Sequence, residues 1–217
     1  MSRTARLVVP GIPHHVTQRG NRRGQVFYSN GDHLAYLYWL REYSTRFGIE
    51  ILAYCLMTNH VHLVVVPPAA SSLPLALGPL HTRIAQRVNR SKEWKGHLWQ
   101  GRYFASALDE PHFWSAIRYV ERNPVRAGML QWAEEYPWSS ARAHCGMASD
   151  PTLTPKHRWL DEFKGIGNWS AWLAAGDDIG ALNSLRKRTR QCLPCGSDAF
   201  VEDLAATTGR KLPAMDK

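Results

Sequence analysis

Apolar residues along the first half of the chain follow two periods, alternation over short stretches and three-to-four spacing over longer ones, and these predict an order of elements. Ile12 to Gln18, short and carrying Val and Thr, is a predicted strand closed by the glycine loop Gly20-Asn-Arg-Arg-Gly24. In Asp32 to Phe47, Leu34, Leu37, Tyr38, Trp39, Leu40 and Tyr43 recur at helical spacing, with Asp32 as the expected cap and Gly48 as the stop. Ile49 to Leu56 is a strand. Met57-Thr-Asn59 makes a tight connection to His60 to Val66, a β-branched and apolar run halted by Pro67-Pro68, so the pair forms a hairpin.

Leu73 to Asn89 has helical spacing at Leu77, Leu80, Ile84 and Val88, while Pro74 and Pro79 predict a late or kinked start. Leu98 to Leu108 mixes aromatic and small residues in strand fashion. Glu110-Pro111 opens another helix through Trp114, Ile117, Tyr119 and Val120, until Asn123-Pro124 interrupts it. The order β-α-β-β-α-β plus a helix is the ferredoxin-like split βαβ pattern, with the third strand in the middle of an antiparallel sheet. The expected class is therefore α+β: this core, the helix after strand four, and a C-terminal helical tail.

Beyond Gly128 the pattern weakens. Tyr136-Pro-Trp138-Ser-Ser-Ala reads as a turn into a short helix, and His157 to Asp178 as aromatic-rich and irregular. Ala181 to Arg190 is helical and basic, and Ser197 to Gly209 is a short capped helix. The expected division is a core over 1–145 and an extension over 146–217, with Asp178 onward a tail or small subdomain.

Of the 217 residues, 44% are hydrophobic and 21% charged, which suits one substantial buried core. No apolar run reaches the roughly 18 residues of a membrane span, and Met1 to Pro10 carries Arg3 and Arg6 without the apolar stretch of a signal peptide. The four cysteines are too few for a disulfide scaffold. A cytoplasmic protein without membrane partners is expected. Lys and Arg number 27 against 18 Asp and Glu, a net charge of +9, which suits a polyanionic partner. Two clusters carry the excess: Arg19, Arg22 and Arg23 around the glycine loop, and Arg186, Lys187, Arg188 and Arg190 near the C-terminus. These seven are the candidate contacts to such a partner.

His60-Val61-His62 lies on the third strand, where alternate side chains share a face, so both imidazoles point the same way from a rigid base. That suits two ligands of one divalent metal, with two hydrogen-bonded histidines as the alternative. Tyr119 and Asn123, four apart on the helix after strand four, share a face and offer a nucleophilic phenol and a third ligand. The alternative is a half-buried core tyrosine. Trp94, Trp99, Tyr103, Phe104 and Trp114 are stacking surfaces for bases or core residues. A histidine-triad nucleotide hydrolase would need its third histidine at Val64, and Cys192-x-x-Cys195 with Cys145 or His144 fits no standard zinc spacing.

Four blocks occur in order: His14-His-Val-Thr-Gln-Arg-Gly-Asn-Arg-Arg23, Leu56-Met-Thr-Asn-His-Val-His-Leu-Val64, Leu98-Trp-Gln-Gly-Arg-Tyr103 and Tyr119-Val-Glu-Arg-Asn-Pro-Val-Arg-Ala-Gly128. Over about Pro10 to Ser140, with a looser echo at Gly196 to Phe200, the chain resembles the REP-associated tyrosine transposases, relatives of the HUH single-strand transposases of simple insertion sequences. The resemblance implies that His60 and His62 are the metal-binding pair, that Tyr119 is the attacking residue, and that Asn123 stands where relatives carry a polar third ligand. It also implies magnesium or manganese and DNA hairpins from repetitive extragenic palindromes as partners. The expected enzyme is a single-strand DNA nickase and strand transferase, nucleoid-associated when bound and either monomer or homodimer. A noncatalytic hairpin-binding protein that keeps the fold is the alternative. Cys192-Leu-Pro-Cys195 departs from the Gly-Arg-Pro-Leu-like turn of relatives. Because every expected catalytic residue precedes Pro124, loss of Leu185 to Lys217 is expected to weaken hairpin binding while the chemistry survives at high DNA concentration.

Overall fold

The computed structural model describes residues 6–154 and 166–214. Four strands, β1 (His14–Arg19), β2 (Glu50–Met57), β3 (His60–Val66) and β4 (Phe104–Ala107), form one sheet in the order β2-β3-β1-β4, with every pairing antiparallel. The class is α+β, with β3 and β1 central. β4 is shorter than the Leu98 to Leu108 expected. Instead of extending the strand, this stretch crosses the glycine loop, where Leu98 O accepts from Asn21 N at 2.7 Å and Gln100 N donates to Arg19 O at 2.9 Å.

Helix α1 (Asn30–Arg46) begins with a capping box in which Ser29 Oγ accepts from Asp32 N while the Asp32 carboxylate accepts from Tyr28 N and Ser29 N. Ser29, not Asp32, is therefore the cap, and Asp32 is the reciprocal third residue. Helix α2 (Ser72–Lys92) starts early enough that Pro74 falls in its first turn, where no N–H is needed. Pro79 lies inside it, and the carbonyl four residues back belongs to the exposed Leu75, where water can replace the missing bond. Helices α3 (Glu110–Glu121), α4 (Asn123–Arg126), α5 (Ala141–His144), α6 (Trp169–Ala174), α7 (Ile179–Gln191) and α8 (Asp198–Thr208) follow. Of the irregular region expected at His157 to Asp178, residues 157–165 lie outside the described residues. No described helix is long and apolar enough to cross a membrane.

The sheet has two covered faces. Val16, Val61, Leu63 and Val65 pack against α1 and α2 through Tyr36, Leu40, Leu77, Leu80 and Ile84. Val64 and Val66, on the opposite pleat, pack against Phe113, Ala116, Ile117 and Val120 of α3. Leu182 and Leu185 of α7, Trp169 and Leu173 of α6, and Cys195 join this second core, so the C-terminal segment is packed in and not a free tail. The segment between α7 and α8 also covers the β4 edge: Cys195 N donates to Ala107 O at 2.8 Å and Ser106 Oγ donates to Leu193 O at 2.6 Å.

Asp109 ties that junction to α3. It caps the helix by accepting from His112 N at 3.1 Å, pairs with His112 Nδ1 at 2.6 Å, and accepts from Ser197 N at 2.8 Å. Its carboxylate, followed by a hydrogen bond to Cys195, raises the His112 pKa to about 10. A pKa raised on folding stabilises fully below the unfolded value near 6.5, and that contribution is lost as pH rises through about 10. Asp109→Ala is expected to lower stability by about 2 kcal/mol at pH 6, with the gap from wild type narrowing towards pH 10. Urea unfolding across this range checks it, and a pH-independent gap would rule out the His112 ion pair as its source.

Candidate functional site

Strand register assembles the site. His62 lies opposite Thr17 of β1 and Cys55 of β2, and His60 opposite Arg19 and Met57, so these side chains share the face that meets α3. His15, two residues before Thr17, lies on the same face. Both histidines of the pair are buried, with ring centroids 4.9 Å apart.

Each ring is held through Nδ1. His60 Nδ1 lies 2.6 Å from Asn59 Oδ1, and Asn59 Nδ2 donates to Arg23 O at 3.0 Å. A carbonyl only accepts, so the amide nitrogen faces Arg23 and the amide oxygen faces His60. His60 Nδ1 therefore carries the proton, and its Nε2 keeps a lone pair in the neutral ring. His62 Nδ1 lies 2.8 Å from His15 Nε2, and His15 Nδ1 lies 2.9 Å from Thr189 Oγ1. His62 Nε2 is buried and has no hydrogen-bond partner among the described residues. Burial pushes the His60 pKa down to about 3, with Arg19 and Arg126 adding to the effect. Burial and then Arg126 lower His15 to about 3, and burial holds His62 well below its usual value. All three imidazoles are neutral at pH 7.

Tyr119 stands at the edge of the apolar face by which α3 docks on the sheet. Its ring lies 5.2 Å from His62 and 5.6 Å from His15, nearly perpendicular to both. The Arg126 guanidinium sits 4.2 Å from the ring centroid and that of Arg186, from α7, 5.3 Å. Arg126 is fixed by Tyr119 O at 2.5 Å and by Asp177 at 3.2 Å, which also pairs with Arg122 at 3.3 Å. Asn123 begins α4, and its buried Nδ2 has no hydrogen-bond partner among the described residues. Tyr119, Asn123, Arg126 and Arg186 line a cleft of about 640 Å³ whose walls also include Arg19, His60, Asn183, Lys187 and Arg190.

Two neutral imidazoles with free Nε2 atoms, one buried and unpartnered, together with the Asn123 amide, make a donor set that fits a divalent cation which retains waters. The 4.9 Å ring separation is within reach of two imidazoles sharing one ion. Cys192 and Cys195 are free thiols, and no three His, Cys, Asp or Glu side chains among the described residues come together as a metal site.

The candidate DNA contacts separate by location. Arg19, Arg186, Lys187 and Arg190 line the cleft. Arg22 and Arg23 are exposed outside it, both in the left-handed region at φ 52° and 60°. Gly20 permits that turn, since a Cβ there would lie 2.1 Å from Gly24 O. Arg188 is corrected: it is buried, donating to Pro194 O at 2.8 Å, Ala214 O at 3.0 Å and Pro213 O at 3.1 Å. Its position on α7 turns it inward, so it holds the chain and presents no surface charge. Trp99 and Tyr103 are core residues, whereas Trp94 is exposed and packs edge-on against Tyr28 at 5.5 Å. Sequence reasoning missed His15, Arg126 and Asn183. The alternation His15-x-Thr17-x-Arg19 was the available signal for the first, and the one-turn spacing from Asn123 for Arg126.

The sequence profile described as "Transposase IS200 like" matches residues 8–123. A curated Haemophilus influenzae protein named as a REP-associated tyrosine transposase is 23% identical over 106 residues, 44% of this chain; the match spans 60% of that protein's length. A solved structure of a REP-associated tyrosine transposase bound to a REP hairpin superposes with a TM-score of 0.54 at 18% identity, covering 72% of this chain and 93% of the other, which shows the shared fold.

Arg188→Met is expected to cost about 3 kcal/mol by unpairing carbonyls of the C-terminal segment, while Arg190→Ala stays within about 0.5 kcal/mol of wild type. Urea denaturation of both variants tests the buried placement of Arg188, and equal stabilities would contradict it.

Proposed function

Because this chain belongs to the IS200-like transposase family, we propose that it cleaves and rejoins single-stranded DNA beside hairpins of repetitive extragenic palindromes, with Tyr119 as nucleophile. The observation that carries the reading is the Tyr119 ring set 5.2 Å from His62 in a cleft walled by cations. The named relative and the solved hairpin complex support the choice of substrate.

Bound magnesium or manganese, held by His60, His62 and Asn123, would draw charge from the scissile phosphate and align its phosphorus. The Tyr119 oxygen attacks that phosphorus: the tyrosine O–P bond forms as the P–O3′ bond breaks. The phenol proton passes to solvent, and the departing 3′ oxygen takes up a proton to become a hydroxyl. The product is a 5′-phosphotyrosine, which conserves the phosphodiester bond energy and lets a 3′-hydroxyl reverse the step without ATP. Arg126 and Arg186, already against the Tyr119 ring, place positive charge where the phosphate arrives. Arg19, Lys187 and Arg190 hold the strand backbone along the cleft, and Arg22 and Arg23 add a second basic patch for the hairpin. In this reading residues 1–145 carry the chemistry and residues 146–217 supply much of the cationic wall.

With magnesium or manganese and a hairpin bearing a single-stranded flank, wild type is expected to become covalently attached to the 5′ end of the cut strand. Tyr119→Phe is expected to form no adduct; full cleavage by this variant would sink the mechanism, and absence of any wild-type adduct would favour a noncatalytic hairpin binder. His60→Ala and His62→Ala should abolish cutting while sparing DNA binding, Asn123→Ala should be milder, and EDTA should stop the reaction. If cutting continues unchanged in EDTA, the metal assignment is wrong.

Lys187→Ala with Arg190→Ala should lower the slope of log affinity against log salt by roughly 0.7 to 0.9 per lost contact. Titrations of a labelled hairpin at several salt concentrations measure it. Equal slopes would remove α7 from the DNA surface.

A further inference from the structure

We propose that His15 is a positioning residue, linked to Thr189 and His62 in a hydrogen-bonded chain that keeps the lone pair of the buried His62 Nε2 available to a cation. The inference deepens the proposed function and rests on its assignment of His62.

The His15 and His62 rings are parallel within 2°, with centroids 5.1 Å apart and the facing nitrogens 2.8 Å apart. Rings so placed lie end to end in one plane, which is the geometry of a straight N–H···N bond and not of face stacking. Only one proton fits between two neutral imidazole nitrogens, so the chain has two possible polarities. In one, Thr189 donates to His15 Nδ1 and His15 Nε2 donates to His62 Nδ1. That leaves His62 Nε2 protonated and buried, with no acceptor among the described residues. In the other, His62 Nδ1 donates to His15 Nε2, and His15 Nδ1 donates to Thr189 Oγ1 at 2.9 Å. His62 Nε2 is then bare, and a cation satisfies it. The second polarity leaves no nitrogen of either imidazole unpaired once the ion is present.

Thr189 is itself immobilised. It is buried on α7, whose Leu182 and Leu185 pack in the α3 core and whose Arg188 grips Pro194 O. On this reading α7 belongs to the cation site, and loss of the chain from Leu185 onward would weaken the chemistry as well as the basic wall. His60 has its own equivalent in Asn59, so one ligand is oriented by its chain neighbour and the other through residues distant in sequence.

The full-length protein tests this in two ways. Titration with Mn2+ in the absence of DNA is expected to show affinity about tenfold weaker for Thr189→Val and within about twofold of wild type for Thr189→Ser, which restores the hydroxyl. Hairpin binding in EDTA should be the same for all three, since the basic walls are unaltered. Imidazole 15N NMR of the metal-free wild type should show His62 protonated on Nδ1 and bare on Nε2, a readout that needs no variant. A protonated Nε2 in wild type, or unchanged Mn2+ affinity in a folded Thr189→Val, would overturn the positioning role while leaving the nucleophile and ligand assignments standing. If wild type binds no Mn2+, or binds it as well after His62→Ala, the metal reading fails and the positioning role falls with it.

Discussion

The register of β1 against β3 is the constraint on which the rest of the structure depends. Thr17 opposite His62 and Arg19 opposite His60 bring His15 beside His62 and a guanidinium beside His60. A slip of one residue would turn both histidines into the face covered by α1 and α2 and put Val61 and Leu63 under Tyr119. What prevents the slip is ordinary apolar alternation: Val16, Val61, Leu63 and Val65 fill one core while Val64 and Val66 fill the other. The site's geometry is therefore a by-product of two hydrophobic faces that must both be satisfied.

Burying three imidazoles next to arginines has one electrostatic solution. Protonated rings would be desolvated cations beside other cations, so His15, His60 and His62 are all held neutral, chiefly by burial. Neutral rings can act as ligands, and the Nδ1 partners decide which nitrogen is left for that purpose. The surrounding charge is mostly positive, from Arg19, Arg126, Arg186, Lys187 and Arg190, with Asp177 set back to hold Arg122 and Arg126. A cleft of this kind has the charge that suits an anion.

The strands, the main helices and the shared face of His60 and His62 were legible in the sequence because they follow from local periodicity. Tyr119 and Asn123 were legible for the same reason, one helical turn apart. The His15 to Thr189 bond spans 174 residues and leaves no periodic trace, so its partners stood as an unassigned strand histidine and an unremarked threonine in a basic run. Arg188 was misread because charge alone was counted there; its inward position is fixed by helix phase and by carbonyls of the segment that follows α7. The Ser29 cap was missed by a different route, since Asp32 also fits a helix start and only the reciprocal bonds tell the two apart. The truncated β4 has a tertiary cause, the crossing of the glycine loop by Leu98 to Gln100.

Helix α7 shows how one element can serve two ends of a site. Leu182, Leu185 and Thr189 recur at three and four residues and form its buried face, while Asn183, Arg186, Lys187 and Arg190 follow the same period on the cleft side. The first set anchors the helix and reaches His15; the second meets whatever occupies the cleft. Since both are fixed to one rigid cylinder, rotation or withdrawal of α7 cannot change one without the other. Loosening its apolar face would remove cations from the cleft and free His15 in the same movement. The hydrophobic seam between α7 and α3 therefore governs both the placement of the cleft cations and the orientation of the buried histidine.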